Sequence, residues 1–208
     1  AIKEVVILAD KTQEYRALPS VDLNQISRED LLAFMMEHGA LGMIRQRPYN
    51  VVVDPAIIPT NIFVSTFDSA PLAPNLNFVI KGKEEAFAAG LKVLAKLTSG
   101  KVHLGLDGKS EETPAAAFVE AEGVEKTYFY GAHPAGNVGI QIHHTAPINA
   151  NESVWTLDVQ AVATIGSMVT ESKFDASRVV AVAGAVHDPK YVNTYIGANI
   201  GDLVKDNV

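Results

Sequence analysis

Cysteine is absent from all 208 residues. That excludes disulfides, a thiolate-held iron–sulfur cluster, c-type haem attachment and a cysteine nucleophile, and it is compatible with the cytosol. Arginine is scarce, with five in the chain. Lysine and arginine together number 17 against 24 acidic residues, a formal net charge of −7. This balance argues against a nucleic-acid partner, whose phosphates need a basic face. No apolar run approaches the ~20 residues that cross a bilayer, so the chain does not span a membrane by itself.

What is present suits a substantial core: 48% hydrophobic and 20% charged residues are ordinary for a globular chain. The length allows one large domain, or one domain and part of another. The chain opens at Ala1 directly in strand-like sequence with no signal peptide, and it stops at Val208 just after a helix start. It reads as a piece of a longer polypeptide.

The stretch Gly131-Ala-His-Pro-Ala-Gly-Asn-Val-Gly-Ile-Gln-Ile-His-His144 stands out. Gly131, Gly136 and Gly139 permit positive φ angles or a close approach to the backbone. Pro134 fixes its own φ and pushes His133 towards extended backbone. Thr127–Tyr130 leads in as a strand, and the alternating run from Val138 to His143 reads as a second strand leading out. Two readings stand side by side: a loop that presents chemistry to solvent or a partner, or a tight structural turn.

Taken in order, Ile2–Leu8 is β-branched and predicts a strand. Residues 9–24 are polar, broken by Pro19, and suit a linker. Ser27 caps a predicted helix with acids at Glu29 and Asp30 and a stop at Gly39. Its Met35–Met36 pair reads as core filler. Gly39-Ala-Leu-Gly-Met-Ile-Arg-Gln-Arg-Pro-Tyr49 matches neither a Walker loop nor G-x-G-x-x-G, and reads as a turn carrying Arg45 and Arg47 towards solvent or a partner. Asn61–Thr66 predicts a buried strand with Asp68 beyond its carboxyl end, where ligands collect in open α/β sheets. Residues 83–98 predict a helix packing Phe87, Leu91, Leu94 and Leu97. Strands follow at 102–106 and 154–157, then a helix capped by Asp158, with Trp155 packed at that junction. The alternation predicts an α/β layered domain with a largely parallel sheet. From Arg178 the texture becomes two strands feeding a helix, which places a boundary near Ser177.

No local catalytic arrangement appears. His143 and His144, read on a strand, face opposite sides, and no H-x-x-x-H helix or His/carboxylate cluster is present. No G-x-S-x-G elbow occurs. Small-molecule binding through Arg45, Arg47, Asp68, His133 and His143 is a capability of those residue types, although a lone loop histidine more often serves structure.

Several blocks together resemble the A-subunit family of the sodium-translocating NADH:quinone oxidoreductases. They are Gly39–Tyr49, Ile62-Phe-Val with Asp68 and Pro71-Leu-Ala73, Ala86-Phe87 with Gly90-Leu91, Gly131-Ala-His-Pro-Ala-Gly136, Val154-Trp155, Gln160 with Ala163-Thr-Ile-Gly166, and Arg178–Gly184. The resemblance covers almost the whole chain. It implies the tail of a barrel-sandwich domain and a linker at 1–20, a Rossmann-like domain at 21–177, and the first part of a β-grasp domain at 178–208. It also implies a peripheral place on the cytoplasmic side of the bacterial inner membrane, docked on membrane-embedded subunits. Related flavoprotein subunits hold flavin where this chain has Gly39–Tyr49. That loop is degenerate here and the cluster cysteines are missing. The implied chain carries neither flavin nor cluster and has no catalytic residue of its own. It assists quinone reduction, or serves purely as a docking module, while NADH, flavins and iron–sulfur centres belong to partner subunits. An independent flavin- or nucleotide-binding redox domain is the remaining alternative. Residues placed at a quinone or protein contact are Arg45, Arg47, Asp68, Gly131, His133, Pro134, Gly136 and His143.

Overall fold

A computed structural model describes residues 2–8, 12 and 14–208. Helix α1 (Arg28–Glu37) begins where Ser27 Oγ accepts the Asp30 N–H at 3.0 Å, and Gly39 follows it at a φ of +80°. A 3-10 turn (Ala40–Met43) leads to β1 (Arg45–Arg47) and β2 (Val51–Val52). Next come β3 (Ile62–Ser65), the short α2 (Leu76–Val79), α3 (Glu84–Leu97), β4 (Val102–Asp107), the short α4 (Ala116–Val119) and β5 (Glu125–Phe129). Helix α5 (Val138–Thr145), β6 (Val154–Thr156) and α6 (Val159–Thr170) complete the main layer. The chain then forms β7 (Ser177–Val182), β8 (Lys190–Tyr195) and α7 (Ile200–Val204).

The six strands β1–β6 form one sheet in the order β2-β1-β6-β3-β4-β5, and β7 pairs antiparallel with β8 in a second. Within the large sheet β6, β3, β4 and β5 run parallel, while β1 is antiparallel to both β6 and β2. Counted along the chain, the parallel strands lie in the order fourth, first, second, third. The crossover direction therefore reverses between β3 and β6, where doubly wound sheets open a crevice. A right-handed crossover from β5 back to β6 must use the opposite face from the one between β3 and β4. Ile62 and Val64 accordingly point into the main core with Leu94, Leu97 and Val162, while Phe63 packs with Ile142 of α5.

Helices α3 and α6 pack side by side on the main face. Their crossing runs through Gly90 and Gly166: a Cβ on Gly166 would coincide with the Ala86 carbonyl oxygen, and one on Gly90 with that of Val162. Glycine is required there by the approach of two backbones.

Three sequence expectations are overturned. The run Val138–His143 is helical, because Val138 and Ile142 satisfy both an alternating and an i, i+4 pattern. The residues between them decide: Gln141 is buried and Ile140 is 36% exposed. His143 and His144 therefore sit on one helix, ring centroids 5.0 Å apart, and not on opposite faces of a strand. Arg45–Arg47 belong to a strand beside β6 and not to a turn, held by register pairing with Thr156, Trp155 and Val154. Ile2–Leu8 form no strand; they are exposed and pair with no described neighbour, and β-branching alone cannot replace a ladder. The linker reading of 9–24 falls partly outside the described residues. From Leu18 onward the segment is irregular yet docked, with the Leu18 N–H donating to Ser172 O and Leu18, Val21 and Leu23 against the core.

Polar contacts tie the second sheet to the helices α3 and α6 that cover the first. Gln160 meets the Val179 backbone twice (2.9 and 3.0 Å), and Lys83 Nζ donates to Asp175 Oδ2 (3.0 Å) and Ser177 Oγ (2.8 Å). Burial alone would raise the Asp175 carboxyl. The Ser177 N–H and hydroxyl, and then Lys83, outweigh it and hold the group below its ordinary value. A depressed carboxyl stabilises the fold above the unfolded-state pKa of about 3.9 and loses that contribution as pH falls through the folded-state value. Asp175→Asn is therefore expected to cost about 1 kcal/mol by urea titration at neutral pH, and to converge with the unmodified chain in strong acid.

Candidate functional site: a cleft at the sheet reversal

The carboxyl ends of β3 and β6 open into a cleft of about 790 Å³. Ser65, Phe67 and Asp68 enter it from β3, Thr156, Leu157 and Asp158 from β6, and Arg45 and Arg47 from β1. Asn137, Val138 and Gly139 bring the start of α5, and Arg178 and Ile196 close it from the second sheet. Met43, Leu76, Val138 and Ile140 supply apolar wall, so the space offers both apolar surface and concentrated charge.

Three of the chain's five arginines line this one cleft. Arg178 pairs with Asp158 at 2.9 Å, and the same Asp158 oxygen caps α6 by accepting the Ala161 N–H. Arg45 and Arg47 form no ion pair among the described residues, and Arg47 Nε is buried without an acceptor there. Asn137 gives α5 no side-chain cap, so the first N–H groups of the helix have no side-chain acceptor, and Val138 and Gly139 line the cleft.

The loop 131–137 is fixed against the β3 turn by Ser69. Its Oγ accepts the Gly136 N–H at 2.8 Å and lies 3.1 Å from His133 Nδ1. A Cβ on Gly136 would lie 2.5 Å from the Ser69 nitrogen, and Gly131 holds a φ of +139°, so both glycines have conformational reasons. Replacing Ser69 by alanine is expected to cost about 1 kcal/mol and to speed amide exchange at Gly136. Unchanged exchange would contradict this role for Ser69.

The family model described as "NqrA second alpha/beta domain" matches residues 26–174. The chain belongs to that NqrA domain family. It is 40% identical over 199 residues to the A subunit of the Na(+)-translocating NADH-quinone reductase of Saccharophagus degradans, covering 95% of this chain and 43% of the relative. It is 36% identical over 199 residues to the protein of the same name from Cellvibrio japonicus, covering 94% and 43%. With that of Psychromonas ingrahamii it shares 31% identity over 211 residues, covering 100% and 46%. The chain thus spans less than half the length of these relatives.

Of the residues singled out in the sequence, the fold brings Arg45, Arg47, Asp68 and Gly136 into the cleft. Gly131, His133 and Pro134 lie exposed on the neighbouring loop, and His133 lines none of the described cavities. His143 is exposed on α5 and also lines none of them. The sequence reading missed Arg178, Asp158 in its pairing role, and the free amides at Val138 and Gly139. The amides were invisible because the segment read as a strand; Arg178 and Asp158 are 20 residues apart and meet only through the second sheet.

The turn after β3 bears on what the cleft can hold. It runs Thr66-Phe-Asp-Ser-Ala-Pro-Leu-Ala-Pro-Asn75 without glycine. The Asp68 carboxylate folds onto the Ala70 N–H at 2.9 Å, and the helix that follows is capped by Asn75 itself, which accepts from Asn77 and Phe78. A dinucleotide phosphate at this position in the fold needs glycines for close approach and open helix amides. The residues of this turn do not fit it.

Proposed function

We propose that this chain is the α/β module of an A subunit in a sodium-translocating NADH:quinone reductase, and that it assists quinone reduction as a seat for other subunits. In this reading it holds no flavin, nucleotide or cluster of its own, and electron carriers reside on its partners. The observation that carries it is the β3 turn, where an acidic residue and a self-capped helix occupy the place of a phosphate cradle. The missing cysteines remove the ligands for a cluster. The module docks peripherally, on the cytoplasmic face of the membrane part; no helix among the described residues is long and apolar enough to cross a bilayer. Residues 178–208 act as the opening of a β-grasp domain, and 1–20 as the tail of the domain before it.

A quinone contact on the 131–144 segment is the competing reading of the same residues. The exposure of His133 and its absence from the cavities favour a protein contact over a buried ring. Amide exchange on the isolated A subunit, the assembled complex, and the complex with quinone separates the two. Seating predicts that 131–144 gains protection on assembly and none when quinone is added. Further protection with quinone, or none on assembly, would overturn it.

A further inference from the structure

We propose that the cleft at the sheet reversal receives a carboxylate, carried on an extended, apolar-flanked segment of another subunit of the complex. The inference rests on the seating role proposed above and names the chemistry of the group seated.

Charge supports it first. The chain as a whole is strongly acidic, yet its cleft gathers Arg45, Arg47 and Arg178 against Asp68 and Asp158. That leaves one unit of positive charge, which a single carboxylate neutralises and a phosphate dianion would exceed. Arg178 is already engaged by Asp158, so the free capacity belongs to Arg45 and Arg47.

Donor geometry supports it second. Arg45 and Arg47 both line the cleft, and neither guanidinium has a carboxylate within ion-pair distance among the described residues. Guanidinium forks pair with carboxylates through two parallel hydrogen bonds. The open Val138 and Gly139 amides add donors and the positive end of the α5 dipole on the same cleft.

The surface beside the cleft selects a polypeptide over a small acid. Strand β2 is the outermost strand of the sheet. Tyr49 is 84% exposed, Val51 and Val52 are half exposed, and Asn50 between them lines the cleft. An open strand edge with exposed apolar side chains is a place where an extended segment adds on. A chain lying along β2 would set its apolar residues on Tyr49 and Val52 and direct an acidic residue to Arg45 and Arg47.

The test uses the full-length A subunit in its complex. Arg45→Lys with Arg47→Lys preserves charge and supplies amines that a zero-length carbodiimide can couple to carboxylates. Coupling to an Asp or Glu peptide of another subunit, absent without the substitutions, is the expected result. Coupling only to Asp68 or Asp158 of the same chain, or none in a complex that assembles, overturns the proposal. Arg45→Glu with Arg47→Glu should lower partner retention about tenfold at physiological salt while the lysine pair retains it. Equal retention overturns it. Inorganic phosphate provides the third arm: a phosphate titration that shifts the Val138 and Gly139 amides and blocks the coupling identifies a small-anion site and overturns the polypeptide assignment. Should seating itself be wrong, amide exchange would show no protection anywhere on this chain upon assembly. Should only this inference fail, protection would appear elsewhere and spare 45–52 and 138–139.

Discussion

Replacing Gly166 by alanine is expected to cost about 3 kcal/mol or more and to leave little folded protein at 37 °C. The added methyl would occupy the position of the Ala86 carbonyl oxygen, and its other neighbours are main-chain atoms of Ala86 and Gly90. No rotamer change relieves a clash between backbones, so α3 and α6 must separate. Separation exposes Phe87, Leu91, Leu94 and Val162, all nearly or fully buried. A domain stable by roughly 5–15 kcal/mol loses a large share of that margin through one methyl group. Gly139→Ala is the control. It lies in the first turn of α5 with open space around it, and should be neutral or stabilising by up to about 1 kcal/mol, because alanine is the better helix former. Melting curves of the two variants should move in opposite directions or differ by many degrees.

Truncating the single tryptophan is the second large effect. Trp155 is fully buried in the centre of β6, paired with Ile62 on one side and Gln46 on the other. Trp155→Ala is expected to cost about 3–5 kcal/mol through the cavity it leaves. Its Nε1 is buried without an acceptor among the described residues, so the indole already carries a desolvation penalty. Trp155→Phe relinquishes that orphaned donor and should cost only about 1–2 kcal/mol despite the lost volume. A loss of about 3 kcal/mol or more for Trp155→Phe would indicate that Nε1 is satisfied.

The helices and parallel strands were legible because their signals are local. Ser27, Asp158 and Gly39 mark helix ends, and Ile62–Val64 is a short run of β-branched and aromatic residues buried on both faces. Asp68 was placed correctly beyond β3, since strand end and loop are adjacent in sequence. Arg45–Arg47 failed as a strand because nothing in Arg-Gln-Arg favours extended structure; its ladder comes from β6, more than 100 residues later. Ile2–Leu8 failed the opposite way, with β-branched residues and no described partner. The 138–145 segment was ambiguous by arithmetic, since i, i+4 is also twice i, i+2. That single misreading hid one wall of the cleft, because amides such as those of Val138 and Gly139 are free donors only at a helix start. The Arg178–Asp158 pair depends on how a second sheet lies against the first, which no window of sequence records.

We propose that this sheet, nucleotide-binding in topology, holds no nucleotide of its own. The most direct test is the cofactor content of the purified full-length A subunit, read by visible absorption and by chromatography of the acid extract. The expected result is no flavin or dinucleotide beyond trace, and no saturable uptake when flavin mononucleotide or NADH is added. A stoichiometric flavin or dinucleotide that survives gel filtration, and is lost on reversing the charge of Arg45, would contradict it.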